Sequence, residues 1–291
     1  MRRLLPSIVF LFVIGARLLP AQTTATMPVR PDSVKFAVIG DMGTGDPPQY
    51  EVGARMTEAR ASFPFQLVIM VGDNLYGRQR EQDFVTKFEK PYAPLLAAGV
   101  LFFASLGNHD DARAALSYPR FNMNGQRYYS YARRNVRFFA LDSNQMDPVQ
   151  LAWIDKALRE STDQWKICYF HHPLYSDGGR HGSTVDLRVV LEPIFVKYGV
   201  NVVFSGHDHI YERIKPQFGI TYFVNGSSGE LRKGDTRPSQ MTAAYFDQNQ
   251  AFSLVEVAGD DMFFQARSRA GQIVDGGVIH RAVGNQIRVV P

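Results

Sequence analysis

One cysteine in 291 residues, Cys168, rules out any internal disulfide. An exported chain of this kind draws its stability from its core and not from covalent staples. Cys168 lies inside the apolar run WKICYF, where a thiol reads as a small buried hydrophobe and not as a nucleophile. No compact run of Lys and Arg interleaved with aromatics occurs, which removes nucleic acid from the expected partners. The nearest approach, RYYSYARRNVRFF, alternates like two strands around a turn. There is no internal repeat, no low-complexity tract and no linker after residue 33. A composition of 45% hydrophobic and 21% charged residues is ordinary for a globular protein. One domain is expected over 33–291.

The amino terminus accounts for most of the basic character. Arg2 and Arg3 precede an apolar stretch over 4–16 and the small-residue tail LLPAQTTA, the pattern of a secretory signal over 1–21. Pro6, Gly15 and Arg17 interrupt the stretch, which is too short for a comfortable membrane span. Residues 22–32, QTTATMPVRPD, read as a flexible lead-in. Removing 1–21 takes away Arg2, Arg3 and Arg17 and leaves 29 basic against 28 acidic side chains, a net of +1 in place of +4. The expectation is an exported protein, periplasmic or secreted, with no stable membrane insertion after signal removal. Its oligomeric state is left open.

Five hydrophobic runs, KFAVI, QLVIMV, VLFFASL, WKICYF and NVVFS, read as buried parallel strands. Each is followed by polar residues able to bind metal: Asp41 in GDMG, Asp73 and Tyr76 in GDNLY, Asn108 in GNHD, His171-His172 in HHP, and His207 and His209 in GHDH. Open α/β sheets gather functional groups at the carboxyl ends of their strands. A single Gly-Asp after a strand is equally a turn or a helix cap, and Asn-His in a turn is unremarkable. The set is more specific. Asp, Asp, Asn, His and His-x-His delivered to one edge make a two-metal site. In extended chain His207 and His209 point the same way, whereas the adjacent His171 and His172 point to opposite sides, so only one of them is expected to bind metal. His109, with a pKa near neutrality when unperturbed, suits a general acid, and Asp110 is a candidate to orient it. Tyr76 discriminates further, because a phenolate is a hard ligand that prefers a trivalent ion, unlike the usual His, Asp and Glu.

Helices are expected at 48–61, 80–98, 147–160 and 186–198. In LAWIDKAL, Leu151, Ile154 and Leu158 share one face, and Asp147-Pro148 ahead of it resembles a cap with proline at the first helical position. YYSYA and VRFFALD suggest an antiparallel addition, and the chain after 218 is strand-rich. The mosaic predicts an α/β fold, a sandwich of two mixed β-sheets flanked by helices.

With all five motifs in order, the chain resembles the metallophosphoesterases and, within them, the purple acid phosphatases of the small tartrate-resistant type. The resemblance covers roughly 34–235. It implies an iron(III) site of Asp41, Tyr76, His209 and bridging Asp73, and a second site for Fe(II), Zn or Mn of Asp73, Asn108, His171 and His207. It also implies hydrolysis of small phosphate monoesters by a metal-activated hydroxide, with His109 protonating the leaving alkoxide and Asn108, His172 and His181 contacting substrate. Met42 stands where the family often has tryptophan. GHDHIYER is closer to plant and bacterial forms, with Glu212 and Arg213 expected to pair with each other. Asn225-Gly226-Ser227 fits a glycosylation sequon but reads better as a turn ending a strand. A phosphodiesterase or nucleotide hydrolase on the same metals is the competing enzyme reading, and a non-catalytic iron- or phosphate-binding protein is the other.

Overall fold

The computed structural model describes residues 26–281 and 288–290, so the expected signal over 1–21 lies outside the described residues. In chain order the strands are β1 (Val34–Ile39), β2 (Leu67–Met70), β3 (Leu101–Ala104), β4 (Tyr129–Arg133), β5 (Val136–Ala140), β6 (Trp165–Tyr169) and β7 (Val202–Ser205). They continue as β8 (Tyr211–Gln217), β9 (Ile220–Asn225), β10 (Thr242–Phe246), β11 (Ala251–Ala258), β12 (Asp261–Ser268), β13 (Ile273–His280) and β14 (Arg288–Val290). The α-helices are α1 (Pro47–Ser62), α2 (Glu81–Phe84), α3 (Ala93–Ala97), α4 (Ala112–Ser117), α5 (Pro148–Glu160) and α6 (Val185–Tyr198). None of the described helices is long and apolar enough to cross a membrane.

Two seven-stranded mixed sheets result, ordered β14-β13-β12-β11-β1-β2-β3 and β10-β8-β9-β7-β6-β5-β4. The parallel stretches, β1-β2-β3 in one sheet and β5-β6-β7-β9 in the other, supply the motif-bearing edges. The sheets meet through aromatic rings. Phe36 of β1 stands edge-on to Phe138 of β5 at 5.2 Å and to Phe204 of β7 at 6.1 Å, a geometry that satisfies the ring quadrupoles. On the outer face of the second sheet, Ile154, Leu158, Leu191 and Phe195 from α5 and α6 pack with Phe139 and Phe170, and the buried Cys168 belongs to that layer. The expected cap of α5 is present: Asp147 accepts from Gln150 N at 2.8 Å, with Pro148 at the first helical position.

The structure departs from the expected elements in three places. The single helix predicted over 80–98 is broken into α2, a π-helical turn over Val85–Glu89 and α3, because Pro91 and Pro94 lack the N–H groups that a continuous helix needs. Met27 is buried, and the backbone N–H groups of Val29 and Arg30 donate to Glu256 at 2.7 and 2.6 Å. The described part of the lead-in is therefore packed against the first sheet. Strand β8 has no apolar alternation to announce it, and on a strand its adjacent Glu212 and Arg213 face opposite ways.

Glu212 and Arg213 accordingly do not pair with each other. Arg213 reaches across the sandwich to Asp275 of β13 through two bonds of 2.7 and 3.0 Å, and Tyr211 donates to the same carboxylate at 2.8 Å. Glu212 instead accepts from Asp177 N at 2.9 Å. Arg213 and Asp275 are both buried, so removing one partner strands a charge in a poorly solvated place. Asp275→Ala is expected to cost roughly 3–5 kcal/mol in urea unfolding. A loss under about 1 kcal/mol would place the pair among surface bridges in its effect.

Candidate metal centre

Every motif-bearing loop leaves the carboxyl end of its strand and turns sharply. Asp41, Asp73 and His207 all adopt positive φ, at 51°, 50° and 70°. Such backbone is uncommon outside glycine, and it collects at sites where the surrounding structure imposes it. The loops also lie unusually close. A Cβ on Gly206 would fall 2.4 Å from Asp41 Oδ2, and one on Gly226 would fall 2.1 Å from Asp208 O and 3.0 Å from Asp41 Oδ2. Gly226 thus follows a strand-ending turn as expected, and Asn225 is buried with its amide donating to Ser253 Oγ at 2.7 Å. A sequon in that position is not available for glycosylation.

The side chains form two adjoining groups. In the first, the Tyr76 hydroxyl lies 3.2 Å from Asp41 Oδ1 and 3.2 Å from His209 Nε2, with His209 Nε2 3.4 Å from Asp41 Oδ1. In the second, His171 Nε2 lies 2.9 Å from Asn108 Oδ1, 3.2 Å from His207 Nδ1 and 3.4 Å from Asp73 Oδ1. Asp73 joins the two, since it also falls within one tight cluster with Asp41 and His209. Ligands held about 2.1 Å from one octahedral ion stand about 3 Å apart, which is the spacing seen here.

Proton bookkeeping supports a cation in this space. His171 Nδ1 faces the Val71 carbonyl at 3.0 Å, and a carbonyl only accepts, so the ring hydrogen sits on Nδ1. Nε2 then presents a lone pair to Asn108 Oδ1, itself an acceptor. Burial holds His171 well below the ordinary histidine value, so no second proton relieves this contact. His207 is pushed down to about 2 by burial and by the imidazoles of His171 and His172. Asp41 is raised well above the carboxylate range by burial and by the charge of Asp73, and Asp73 is raised chiefly by burial. Tyr76 is raised by burial, then by Asp41 and Asp73. A multivalent cation reverses every one of these penalties at once.

The expected residues are all brought to this edge, with two changes of role. The carboxylate of Asp110 does not touch the His109 ring. It accepts from Asn74 N at 2.8 Å, Asn74 Nδ2 at 2.7 Å, Leu75 N at 3.1 Å and Gly107 N at 2.8 Å, so it fastens the GDNLY loop to the GNHD loop. Part of the residue reaches solvent, but the carboxyl group turns inward, and burial pushes it up to about 8 against the pull of those N–H groups. His171 and His172 do not diverge as extended chain would have them. The backbone bends there, and His172 joins His171 and His207 in one three-imidazole cluster, its ring 4.4 Å from that of His207. Ser143 Oγ meets His172 Nδ1 at 2.9 Å.

His109 is exposed beside the centre. Its backbone N–H donates to Asp73 Oδ1 at 2.8 Å, and its ring packs 4.9 Å from that of Tyr76. His181, also exposed, holds its ring 4.1 Å from that of His207, the two planes tilted by 35°. One residue was missed in the sequence. Asp208, buried between the two histidines of GHDH, accepts from Ser176 Oγ at 2.6 Å, Gly182 N at 3.0 Å and His181 N at 3.2 Å. It anchors the loop that carries His181. Its position inside His-x-His was the available signal.

Sandwich and site together define a scaffold for two-metal hydrolysis. Residues 34–211, more than half of the chain, match the calcineurin-like phosphoesterase family, and the chain belongs to it. It is 29% identical over 270 residues to purple acid phosphatase 3 of Arabidopsis thaliana, covering 78% of this chain and 72% of that one. It is 23% identical over 301 residues to tartrate-resistant acid phosphatase type 5 of Homo sapiens, covering 87% and 91%. The solved structure of purple acid phosphatase PPD1 from yellow lupin superposes with a TM-score of 0.75 at 17% identity, covering 89% of this chain and 56% of that one, and supports the fold alone. The expected fold and family resemblance are borne out, and the chain is a phosphoesterase by family.

Metal binding requires charged carboxylates, which the metal-free chain holds reluctantly. A carboxyl raised in the folded state contributes stability below its unfolded pKa of about 3.9, and that contribution is lost as pH rises through the raised value. His171 and His207 are held low and are neutral with or without the metal, so the slope they contribute is common to both forms and cancels in the difference. The melting temperature of metal-loaded chain minus that of chelator-treated chain is therefore expected to widen from about pH 5 to about pH 8. A difference that stays constant or narrows would remove Asp41 and Asp73 from the ligand set.

Proposed function

We propose that this phosphoesterase is an exported acid phosphatase that hydrolyses small phosphate monoesters at a pair formed by iron(III) and a divalent metal. One observation carries the reading: the Tyr76 hydroxyl stands 3.2 Å from both Asp41 and His209, in a cage otherwise made of carboxylates, an amide and imidazoles. A phenolate there, with Asp41, His209 and Asp73, would neutralise and hold iron(III), while Asp73, Asn108, His171 and His207 would hold Fe(II), Zn or Mn. A metal pair held by these residues would supply Lewis acidity toward the phosphate and an activated water near neutrality.

The protein's own groups complete the reaction. Val71 fixes the His171 tautomer through its carbonyl, and Ser143 sets the ring of His172. His172 and His181 donate to phosphate oxygens, and the Asp208 anchorage keeps His181 in place. Asn108 turns its amide oxygen toward His171 and its nitrogen to substrate. His109, set by its backbone bond to Asp73, gives a proton to the departing alkoxide. A binding protein without turnover has no use for such an acid.

The exposure of Asn108, His109 and His181 on the rim leaves space for a second ester group, which is the observation behind a phosphodiesterase reading. Initial rates on 4-nitrophenyl phosphate and bis(4-nitrophenyl) phosphate separate the two. A larger kcat/KM on the diester would overturn the monoesterase assignment.

Two substitutions test the centre. Aerobically purified mature chain is expected to show a broad visible absorption band that Tyr76→Phe abolishes; a colourless protein carrying two divalent ions would remove iron(III) from the proposal. His109→Ala is expected to lower kcat by about 10²–10⁴ on alkyl phosphates and much less on 4-nitrophenyl phosphate, whose leaving group needs no proton. Equal losses on both would show that His109 is not the acid.

A further inference from the structure

At the pole opposite the metal centre, a cleft of about 550 Å³ opens where the two sheets begin. Its walls are the starts of β1, β2 and β3, the β4–β5 turn, the end of α1 and the packed lead-in. From Lys35 in this cleft to Asp41 at the metal centre is the length of β1, about 20 Å, so no small ligand touches both. The floor is apolar, with Val29, Val34, Leu67 and Leu101. Lys35, Arg60, Arg133 and Arg134 surround it, and among the described residues no carboxylate lines it.

The charges divide into compensated and uncompensated ones. The ammonium of Lys35 donates to Ser33 Oγ at 2.7 Å and lies 3.8 Å from Glu256, whose oxygens are already occupied by Val29 N, Arg30 N and Ser33 Oγ. Arg134 stands 3.6 Å from Asp32, which is almost fully exposed, and solvent screens that pair. Arg60 and Arg133 have no acidic partner among the described residues. Each donates one bond to a backbone carbonyl, Arg60 Nε to Phe65 O at 3.1 Å and Arg133 to Ala132 O at 3.0 Å. A guanidinium carries five N–H donors in a fixed plane, so most of that capacity remains free. The Arg133 guanidinium also lies 5.5 Å from the centroids of both the Phe103 and Tyr131 rings. A rigid, planar, unneutralised donor beside an apolar floor is the chemistry that recognises phosphate groups attached to an apolar body.

We propose that this cleft is a second, non-catalytic binding site for a phosphate-bearing anion, with Arg60 and Arg133 as its principal donors. Its volume lies in the range of sites for small organic ligands. The ligand's phosphate is either free in solution or the head group of a lipid, and two arms of one experiment distinguish these.

The first arm is calorimetry of the metal-loaded chain with methylenediphosphonate, whose P–C–P bridge resists hydrolysis. The wild type is expected to bind one equivalent more than Arg60→Gln/Arg133→Gln, and raised salt weakens that added site. The second arm is co-sedimentation with phosphatidylcholine vesicles, with and without phosphatidylglycerol. Binding to the anionic vesicles that the double variant loses assigns the site to a lipid head group; loss in the first arm alone assigns it to a soluble phosphate. Turnover of 4-nitrophenyl phosphate is expected to stay unchanged in the variant, which separates this site from the metal centre. Should the double variant not fold, Gln66→Glu, an exposed position in the same wall, places a carboxylate in the cleft and is expected to weaken binding about tenfold. Equal binding by wild type and variant in both arms would overturn the proposal.

Discussion

Two buried carboxylates, Asp41 and Asp73, face each other among imidazoles that burial keeps unprotonated. Without a cation, this edge holds the lone pair of His171 Nε2 against that of Asn108 Oδ1 at 2.9 Å in a poorly solvated place, an arrangement that protein groups alone do not favour. The rest of the edge exists to enforce that crowding. Left-handed backbone at Asp41, Asp73 and His207 aims the side chains inward, and glycines at 206 and 226 let the loops approach where any Cβ would collide. Asp110 and Asp208 then act as fasteners, each binding N–H groups of neighbouring loops.

The centre is assembled across the sandwich. The first sheet supplies the oxygen donors Asp41, Asp73, Tyr76 and Asn108, and the second supplies the nitrogen donors His171, His207 and His209. On the proposed ligand assignment, neither sheet holds a complete site for either ion. The spacing between them is set by the core, through contacts such as Phe36 against Phe138 and Phe204. Packing and chemistry are therefore coupled, because interiors at crystalline density transmit a shift of one sheet to the other.

Much of this was legible in the linear chain. The motif-bearing strands are buried on both faces and read as uninterrupted apolar runs, and the carboxyl-edge rule places their ends together. Asp147-Pro148 announced α5 because capping is a local interaction. Features that depend on remote partners were not legible. β8 carries Glu212 and Arg213 in buried positions and lacks a hydrophobic period; its partners, Asp177 and Asp275, lie 35 and 62 residues away. The helix over 80–98 failed for a local reason, the two prolines, that periodicity alone did not weigh. His172 was misdirected because the adjacent-residue rule holds only for extended chain, and the backbone bends at HHP.

The sequence by itself determined which residue types meet at the edge, because ligand chemistry is written in side-chain identity and strands deliver it with a fixed period. It determined the family and the sandwich for the same reason. Only the tertiary structure decided how those residues divide their work. Asp110 became a fastener instead of an orienting acid, Asp208 an anchor and His172 a third imidazole, since hydrogen-bond partners are chosen by distance in space. The amino-pole cleft, too, depends on Arg60 and Arg133, 73 positions apart, being brought to one wall by the packing of α1 against a sheet whose partner carries the β4–β5 turn.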